Sequence, residues 1–406
     1  MSSRAPAGSD PQVAPESPSS VPGAVVIGGD YQGLGIVRSL GRQGVPICVV
    51  DDERSISRYS RYIKHAVCVP DLRNDDAIIK ELLALGSRLN LEGWVLFPTR
   101  DEIVAAISRN RAQLTPCFRV PTPCWDTIQW LWDKRNTCEI ATKLQIPIPE
   151  TWTPTSVEDL AQITTPFPLA VKPAIKEHFF YATRAKGWCA TDRTELTELF
   201  QRAQDIAAPD EILIQDMIPG DGSYQFGYCA FFKNGQAVGS MLSRRRRQHP
   251  HDFGRASTFV ETVDQPALET LSVKLLSAIN YYGLVEVEFK QDPRDGQFKL
   301  LDVNARTWGY HTLGLPAGVD FAYMLYCDQV GKAVVTCRAK PGFSWMRMLT
   351  DIPTALIDIA HGRLTLAAYV RSLRTFNTEA VFTLRDPLPG IMECILLPYL
   401  IVKRGF

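Results

Sequence analysis

From residue 24 to about residue 123 the sequence alternates short apolar runs with amphipathic stretches, and this limits the fold more than any other feature. The apolar runs are AVVIGG, PICVVDD and GWVLFPT; the spacing between them predicts a helix up to Gly41, a second from Asp75 to Leu89, and a third from Arg100. Parallel strands need a crossover connection, usually helical, so such alternation implies a doubly wound parallel sheet. Gly28, Gly29, Gly33 and Gly35 follow the first run and predict a tight turn into a helix whose free N–H groups face an anion. Asp51 or Asp52 then ends the second strand, where a ribose hydroxyl is held in dinucleotide-binding lobes. The order here is Gly-Gly-x-x-x-Gly-x-Gly, not Gly-x-Gly-x-x-Gly, so the glycines predict a βαβ unit rather than a ligand, and a dehydrogenase is the last-ranked reading.

At 406 residues, 45% of them hydrophobic, the chain is long enough for two or three domains with cores of their own. Lys plus Arg and Asp plus Glu both number 44, so no overall charge draws it to nucleic acid, and any anion binding has to be local. Ten scattered cysteines without a Cys-x-x-Cys pair imply packing thiols and a cytoplasmic protein. Residues 1–22, rich in Ser, Pro, Ala and Gly, are expected to form a disordered arm, not a secretory signal. Residues 391–402 are the most apolar stretch, but they carry Glu393 and Pro398 and fall short of the ~20 residues that span a bilayer. A docked terminal segment is the favoured reading there, and a membrane-surface anchor ending in Lys403 and Arg404 the lesser one.

Near Trp125 the pattern changes. One long helix, CWDTIQWLWDKRNTCEIATKLQ, is expected to stop at the prolines of IPIPET. Strands follow in FPLAVKPA, WCATD, ILIQDMIPG and SYQFGYCAFFKNGQAVGSMLS, with hairpin signals at Asn234-Gly235 and Asp295-Gly296. From about Gly331 the chain is mixed, with a helical pattern over residues 353–373 and no motif. The expected organisation is the arm (1–22), a Rossmann-like lobe (23–124), a domain of antiparallel sheets (125–330) and a C-terminal extension (331–406), an α/β lobe followed by α+β structure.

The chemistry concentrates in GLVEVEFKQDPRDGQFKLLDVNARTWG. Alternation places Glu286 and Glu288 on one strand face, opposite Val285, Val287 and Phe289. The turn at DPRDG returns the chain so that Asp302, Asn304 and Arg306 share a face of the partner strand. Carboxylates and an amide oxygen on neighbouring strands form a hard, all-oxygen set suited to Mg²⁺, and hence to phosphate groups, with Arg306 for developing charge. Lys172 ends an apolar strand and is fixed by Pro173, a placed point charge for phosphate, while Lys134 lies in WDKRN. Gln215, Asp216 and the backbone of Met217 and Ile218 form a polar hinge that fits a purine edge.

In this order, over about residues 24–330, these segments resemble the ATP-grasp superfamily, and most of all its carboxylate–amine ligase branch, related to biotin carboxylase and D-aspartate ligase. The resemblance implies a Rossmann-like pre-ATP-grasp lobe that binds no NAD, followed by an ATP-grasp domain. It implies that Lys134 and Lys172 grip the ATP phosphates, that IQDMI is the adenine hinge, and that Asp221 in GDGS meets the ribose. Glu288, Asp302 and Asn304 would hold Mg²⁺ (or Mn²⁺), and Arg306 would steady the transferring phosphoryl group. The chain departs from the family in three places. The segment after Lys172, PAIKEHFFYATRAKG, is almost free of glycine, so Lys176, Arg184 or Lys186 would cover phosphate by side-chain charge; Asp302 replaces a more usual glutamate; Gln215 stands where an acid is common.

The run SRRRRQHPHDFGRAST is expected to leave the strands beside the cleft, with Arg245 and Arg247 reaching phosphate or acyl phosphate and His249 and His251 as loop histidines. The function implied is Mg-ATP-dependent amide formation from a small-molecule carboxylate and an amine through an acyl phosphate, without nucleic acid and compatible with a homodimer. The alternatives are biotin-carboxylase-like carboxylation and a non-catalytic ATP-binding sensor.

Overall fold

A computed structural model of the chain describes residues 21–249, 254 and 256–404; most of the N-terminal arm, with its expected disorder, lies outside them, as does His251. The first sheet is parallel, in the order β3-β2-β1-β4, from β1 (Ala24–Ile27), β2 (Ile47–Asp51), β3 (His65–Cys68) and β4 (Val95–Pro98). Helices α1 (Tyr31–Arg42), α2 (Asp75–Leu89), α3 (Asp101–Arg109) and α4 (Arg111–Leu114) complete the lobe. Val25, Ile27, Cys48 and Leu96 pack on one face of the sheet with Ile79 and Leu82 of α2 and Ile103 of α3, as two-sided burial of a parallel sheet requires.

The glycine turn is filled from within the protein. The Gly29 N–H donates to Asp51 Oδ2 at 2.5 Å, and Arg100 spans Asp51 and Asp52 at 2.8 and 2.9 Å. Both the loop donor and the two acids of a dinucleotide site are thus satisfied internally. Gly28 has φ +95°, and a methyl there would overlap Thr99 Oγ1. Gly28→Ala is therefore expected to cost about 1–3 kcal/mol, read as a lowered Tm.

Where one long helix is expected, the chain makes two, α5 (Trp125–Trp132) and α6 (Lys134–Lys143). Asp133 between them has extended φ and ψ and caps α6 by accepting from Arg135 N at 2.8 Å, a role aspartate fills better than a helix interior. The second sheet, β5-β8-β6-β7, is antiparallel and built from β5 (Thr151–Trp152), β6 (Leu169–Pro173), β7 (Trp188–Ala190) and β8 (Ile212–Asp216), flanked by α7 (Lys176–Thr183) and α8 (Arg193–Gln204).

The third sheet carries β9 (Gln225–Lys233), β10 (Gln236–His249), β11 (Ala256–Thr262), β12 (Gly283–Gln291), β13 (Phe298–Asn304), β14 (Cys337–Arg338), β15 (Ser344–Met346) and β16 (Thr378–Glu379). Its order is β13-β12-β9-β10-β11-β15-β16, with β14 paired to β10. One face packs on α9 (Pro266–Ala278) and on α5 and α6 through Tyr228, Phe232, Val285 and Phe289. The other joins α1 of the first lobe, α10 (Gly314–Ala317) and α11 (Phe321–Gln329) around Trp308, Phe321 and Trp345. The C-terminal section adds α12 (Met348–Ala360), α13 (Leu366–Thr375) and α14 (Leu388–Arg404).

The apolar C-terminal stretch is docked. Glu393 on α14 is buried in an ion pair with Arg347 at 2.8 Å, and Asp386 just before it accepts from Arg38 at 3.0 Å and Ser60 at 2.8 Å. The opposite side of α14 leaves Leu388, Ile391 and Ile395 exposed, and no helix among the described residues is long and apolar enough to cross a membrane. None of the ten cysteines forms a disulfide.

Candidate active site

Where β12 and β13 pair, Glu286 lies directly opposite Asn304 and Glu288 opposite Asp302. The four side chains line a cleft of about 580 Å³, together with Lys186 and Arg306. Cleft walls also come from Gly28 and Asp101 of the first lobe, from Lys176 on α7, and from Trp345 and Arg347 of the C-terminal section. The hairpin pattern read from the sequence is thus the floor of a site closed by parts far away in the chain.

Cations and anions are tied together across this floor. Lys134 Nζ lies 2.5 Å from Asp302 Oδ1, and Arg245 Nη2 is 3.3 Å from Glu288 Oε2. Asn304 Nδ2 donates to Glu286 at 3.0 Å and to Glu288 at 2.9 Å, while Arg306 donates to Asn304 Oδ1 at 3.1 Å. Tyr310 donates to the other oxygen of Glu286. Burial, reinforced by the charge of Glu288, raises Glu286 to about 7. Burial also pushes Asp302 upward, but Lys134 and Lys176 outweigh it and bring that carboxyl down to about 2.

Asp101 was not singled out from the sequence, although it lies in the FPTRDE segment at the end of β4. It takes Arg306 through both oxygens, at 2.7 and 3.1 Å, and Lys176 at 2.5 Å. Its carboxyl is held far below the usual range because these two cations outweigh its burial. Arg306, expected on the return strand, lies two residues past the end of β13, and a first-lobe residue sets its direction. Arg100, the neighbour of Asp101, is spent on Asp51 and Asp52.

Lys172, at the end of β6, donates to Gln215 Oε1 at 2.9 Å, and Gln215 in turn donates to Thr151. Burial first, then the neighbouring charge of Lys134, lowers Lys172 to about 8. Lys186 donates to the Gly254 carbonyl at 2.9 Å and is likewise lowered to about 8, mainly by burial. Two half-buried ammonium groups held below the usual lysine range would gain from negative charge, which an incoming phosphate would supply.

Several expected contacts take another form. Asp216 is not left for a purine edge: it pairs with Arg294 at 3.1 Å, and Arg294 also holds the buried Asp292. The hinge backbone is engaged as well, with Met217 N bonded to Pro168 O at 3.3 Å and the Ile218 carbonyl accepting from Lys290 at 2.7 Å. Asp221 is exposed and caps the turn after it by accepting from Ser223 N and Oγ at 2.8 and 2.6 Å.

The arginine run does not leave the sheet; it lies within β10. Simple alternation would put Arg245 and Arg247 on one face, but the β10–β11 register shifts between Arg245 and Arg247 and again before Gln248. The first shift inserts Arg246 as an extra residue and turns Arg247 away from the cleft. There it forms a two-armed pair with Asp351 of α12 at 2.8 Å and stacks on Phe259 at 4.4 Å. His249, expected in a loop, ends the same strand and lies 3.3 Å from Thr354.

Glu288, Asp302 and Asn304 present the oxygen set that Mg²⁺ prefers. Among the described residues no three His, Cys, Asp or Glu side chains gather in metal-holding geometry. Lys134 and Arg245 instead sit against the two carboxylates as stand-in cations, and the Asn304 amide turns its NH₂ toward them. The donor chemistry fits a divalent cation that displaces these protein charges.

Residues 133–326 match the family model described as carbamoyl-phosphate synthase L chain, ATP binding domain. The chain is 24% identical over 299 residues to D-aspartate ligase of Enterococcus faecium (strain Aus0004), covering 70% of each protein. Its fold is similar to that of L-amino acid ligase from Bacillus licheniformis, with a TM-score of 0.62 at 14% identity over 79% of this chain and 78% of that one. N5-carboxyaminoimidazole synthetase from Staphylococcus aureus gives 0.64 at 14% identity, over 84% and 85%. The resemblance to the ATP-grasp superfamily, and to its carboxylate–amine ligase branch, therefore holds.

Proposed function

We propose that this chain is an ATP-dependent carboxylate–amine ligase that forms an amide through an acyl phosphate. The observation that carries this is the meeting, in one cleft, of the Glu288–Asp302–Asn304 oxygen set with Lys186, Arg245 and Arg306. Phosphoryl transfer asks a protein mainly for positioning and charge stabilisation, which such an arrangement supplies.

Glu288, Asp302 and Asn304 would hold a divalent cation, which would supply positive charge against the phosphate groups. Lys134 and Lys172 approach the phosphates from the second sheet and α6, and the Met217–Ile218 backbone borders the base. A carboxylate oxygen of the first substrate attacks the γ-phosphorus, the bond to the β-phosphate oxygen breaks, and ADP leaves. Arg306, kept in place by Asp101, meets the charge that grows on the transferred group. The amine then attacks the acyl carbon, phosphate departs, and the nitrogen gives up a proton. Water exclusion falls to the α7 segment, whose Lys176 is anchored to Asp101 where other members use glycine-rich backbone.

The test is ADP release with paired acids and amines, with hydroxylamine added to trap the acyl phosphate. A hydroxamate of an organic acid is the expected product; tight ATP binding with no hydroxamate would leave a nucleotide sensor, and bicarbonate-dependent turnover a carboxylase. ATP affinity is also expected to depend on pH through Lys172. Its free-protein value of about 8 is set by burial and by Lys134 and Lys290, against Asp302 and Cys138. Bound phosphate favours the protonated form, so affinity is fully present below about pH 8 and falls above it, by up to about tenfold per pH unit. Titration calorimetry between pH 7 and 9.5 measures this, and Lys172→Met should make the curve shallower, leaving the part due to Lys186.

A further inference from the structure

Helix α14 is docked by one face only. Pro389, Gly390, Glu393 and Leu396 are buried against the protein, while Leu388, Ile391, Cys394, Ile395, Pro398 and Ile401 are exposed. The exposed set recurs at spacings of three and four and so forms one stripe along the helix. A solvent-facing stripe is ordinarily polar, with the apolar side chains turned to the core. Here the order is reversed. Glu393, the only acid of the helix, points inward to Arg347 at 2.8 Å, and the exposed stripe carries no charged side chain. The residues before the helix extend the stripe: Leu384 is 98% exposed, and Phe382, whose ring lies over Gly390, is 37% exposed.

The charge around this stripe has one sign. Residues 382–404 contain two acids, Asp386 and Glu393, and both are buried; Asp386 accepts from Arg38, Ser60 and the Arg61 N–H. The remaining charges of that segment are Arg385, which is exposed, and Lys403 and Arg404, all basic. On its inner side α14 packs on the turn Ile56–Tyr59 of the first lobe, and residues 54–64 around that turn hold Arg54, Arg58, Arg61 and Lys64 and no acid. Arg54, Arg61 and Lys64 are exposed, and none of the three forms an ion pair with a described residue. The chain as a whole has no net charge, so this concentration is local. An apolar stripe bordered by Lys and Arg suits a helix lying in the headgroup region of an anionic bilayer. A two-fold contact with a second copy would instead bring the basic segments of both copies together. The stripe is the outer surface of a helix, not a groove, and fluid lipid covers it without a matching shape.

We propose that the outer face of α14, with Leu384 and the basic segment 54–64, binds the surface of an anionic lipid bilayer. The helix lies in the interface and does not cross it: Leu384, Ile391 and Ile395 enter the acyl boundary, and the basic side chains meet lipid phosphates. None of these residues lines the cleft, so the surface is independent of the ligase reading.

Sedimentation of the full chain with vesicles tests this, using phosphatidylcholine alone and phosphatidylcholine mixed with phosphatidylglycerol. Binding is expected to the mixed vesicles, about tenfold or more weaker to phosphatidylcholine alone, and weakened to a similar extent by salt at about 0.5 M. Leu384→Ser with Ile395→Ser should weaken binding about 10- to 100-fold, and Arg61→Ser with Lys64→Ser about 10- to 30-fold. All four side chains are exposed, so both variants should melt where the unaltered protein does. No binding to the mixed vesicles, equal binding to both kinds, or full-strength binding by either variant in its folded form would overturn the proposal. A dimer seen by light scattering, lost in the Leu384→Ser, Ile395→Ser variant and indifferent to vesicles of both kinds, would overturn it too and give the face to a second copy.

Discussion

Glu288→Gln and Asp302→Asn are each expected to lower ATP turnover by about a thousandfold or more while the protein stays folded. Both changes keep the size of the side chain and remove one charge. The carboxylates lie opposite each other on paired strands, so on the proposed reading either variant would leave only one of them for a divalent cation. Losing such stabilisation at the transferring phosphoryl group removes several kcal/mol that act in the transition state and not in the fold. Arg245 also bonds Gln225 and Gln248, and the substituted amides still offer an oxygen to Arg245 and Lys134, so Tm should change little. ADP release at saturating nucleotide, beside circular dichroism and melting curves, checks this. Unchanged turnover in either variant would exclude its carboxylate from the metal role.

The second large effect is on stability. Asp351 is fully buried on α12 and receives both arms of Arg247 from β10. Asp351→Ala leaves a buried guanidinium whose neighbours are the rings of Phe259 and Tyr369. It is expected to destabilise the protein by about 3–5 kcal/mol, read from denaturant midpoints. Replacing both partners, with Arg247→Met and Asp351→Leu, should recover most of that loss and leave ATP turnover near its starting value. A collapse of turnover in a well-folded double variant would return Arg247 to the chemistry from which the strand bulge removes it.

This pair of arginines shows where reading a sequence stops. Period-two alternation correctly placed Glu286 with Glu288 and Asp302 with Asn304, because β12 and β13 keep register across those pairs. Arg245 and Arg247 are paired by resemblance, in a run expected to leave the strands; the run stays in β10, and a bulge that no residue in SRRRRQH announces turns Arg247 to the other face. The expected single helix over WDTIQWLWDKRNTCEIATK broke at Asp133, whose capping preference was visible but weaker than the apolar run around it. Asp216 looked available for a ligand because its partner, Arg294, lies far away in the chain.

The alternation of the first hundred residues, the hairpin turns after Trp125 and the acid pattern of one hairpin are local properties, fixed by backbone periodicity and turn preference, and from them the sequence alone determined the α/β lobe, the antiparallel sheets and the oxygen cluster. Which charges face that cluster was decided only in three dimensions. Asp101 reaches Arg306 across 205 positions, and Arg347 enters the cleft held by a helix at the far end of the chain. Electrostatic pairing depends on distance through space, and the chain order carries no record of that distance until the sheets have packed.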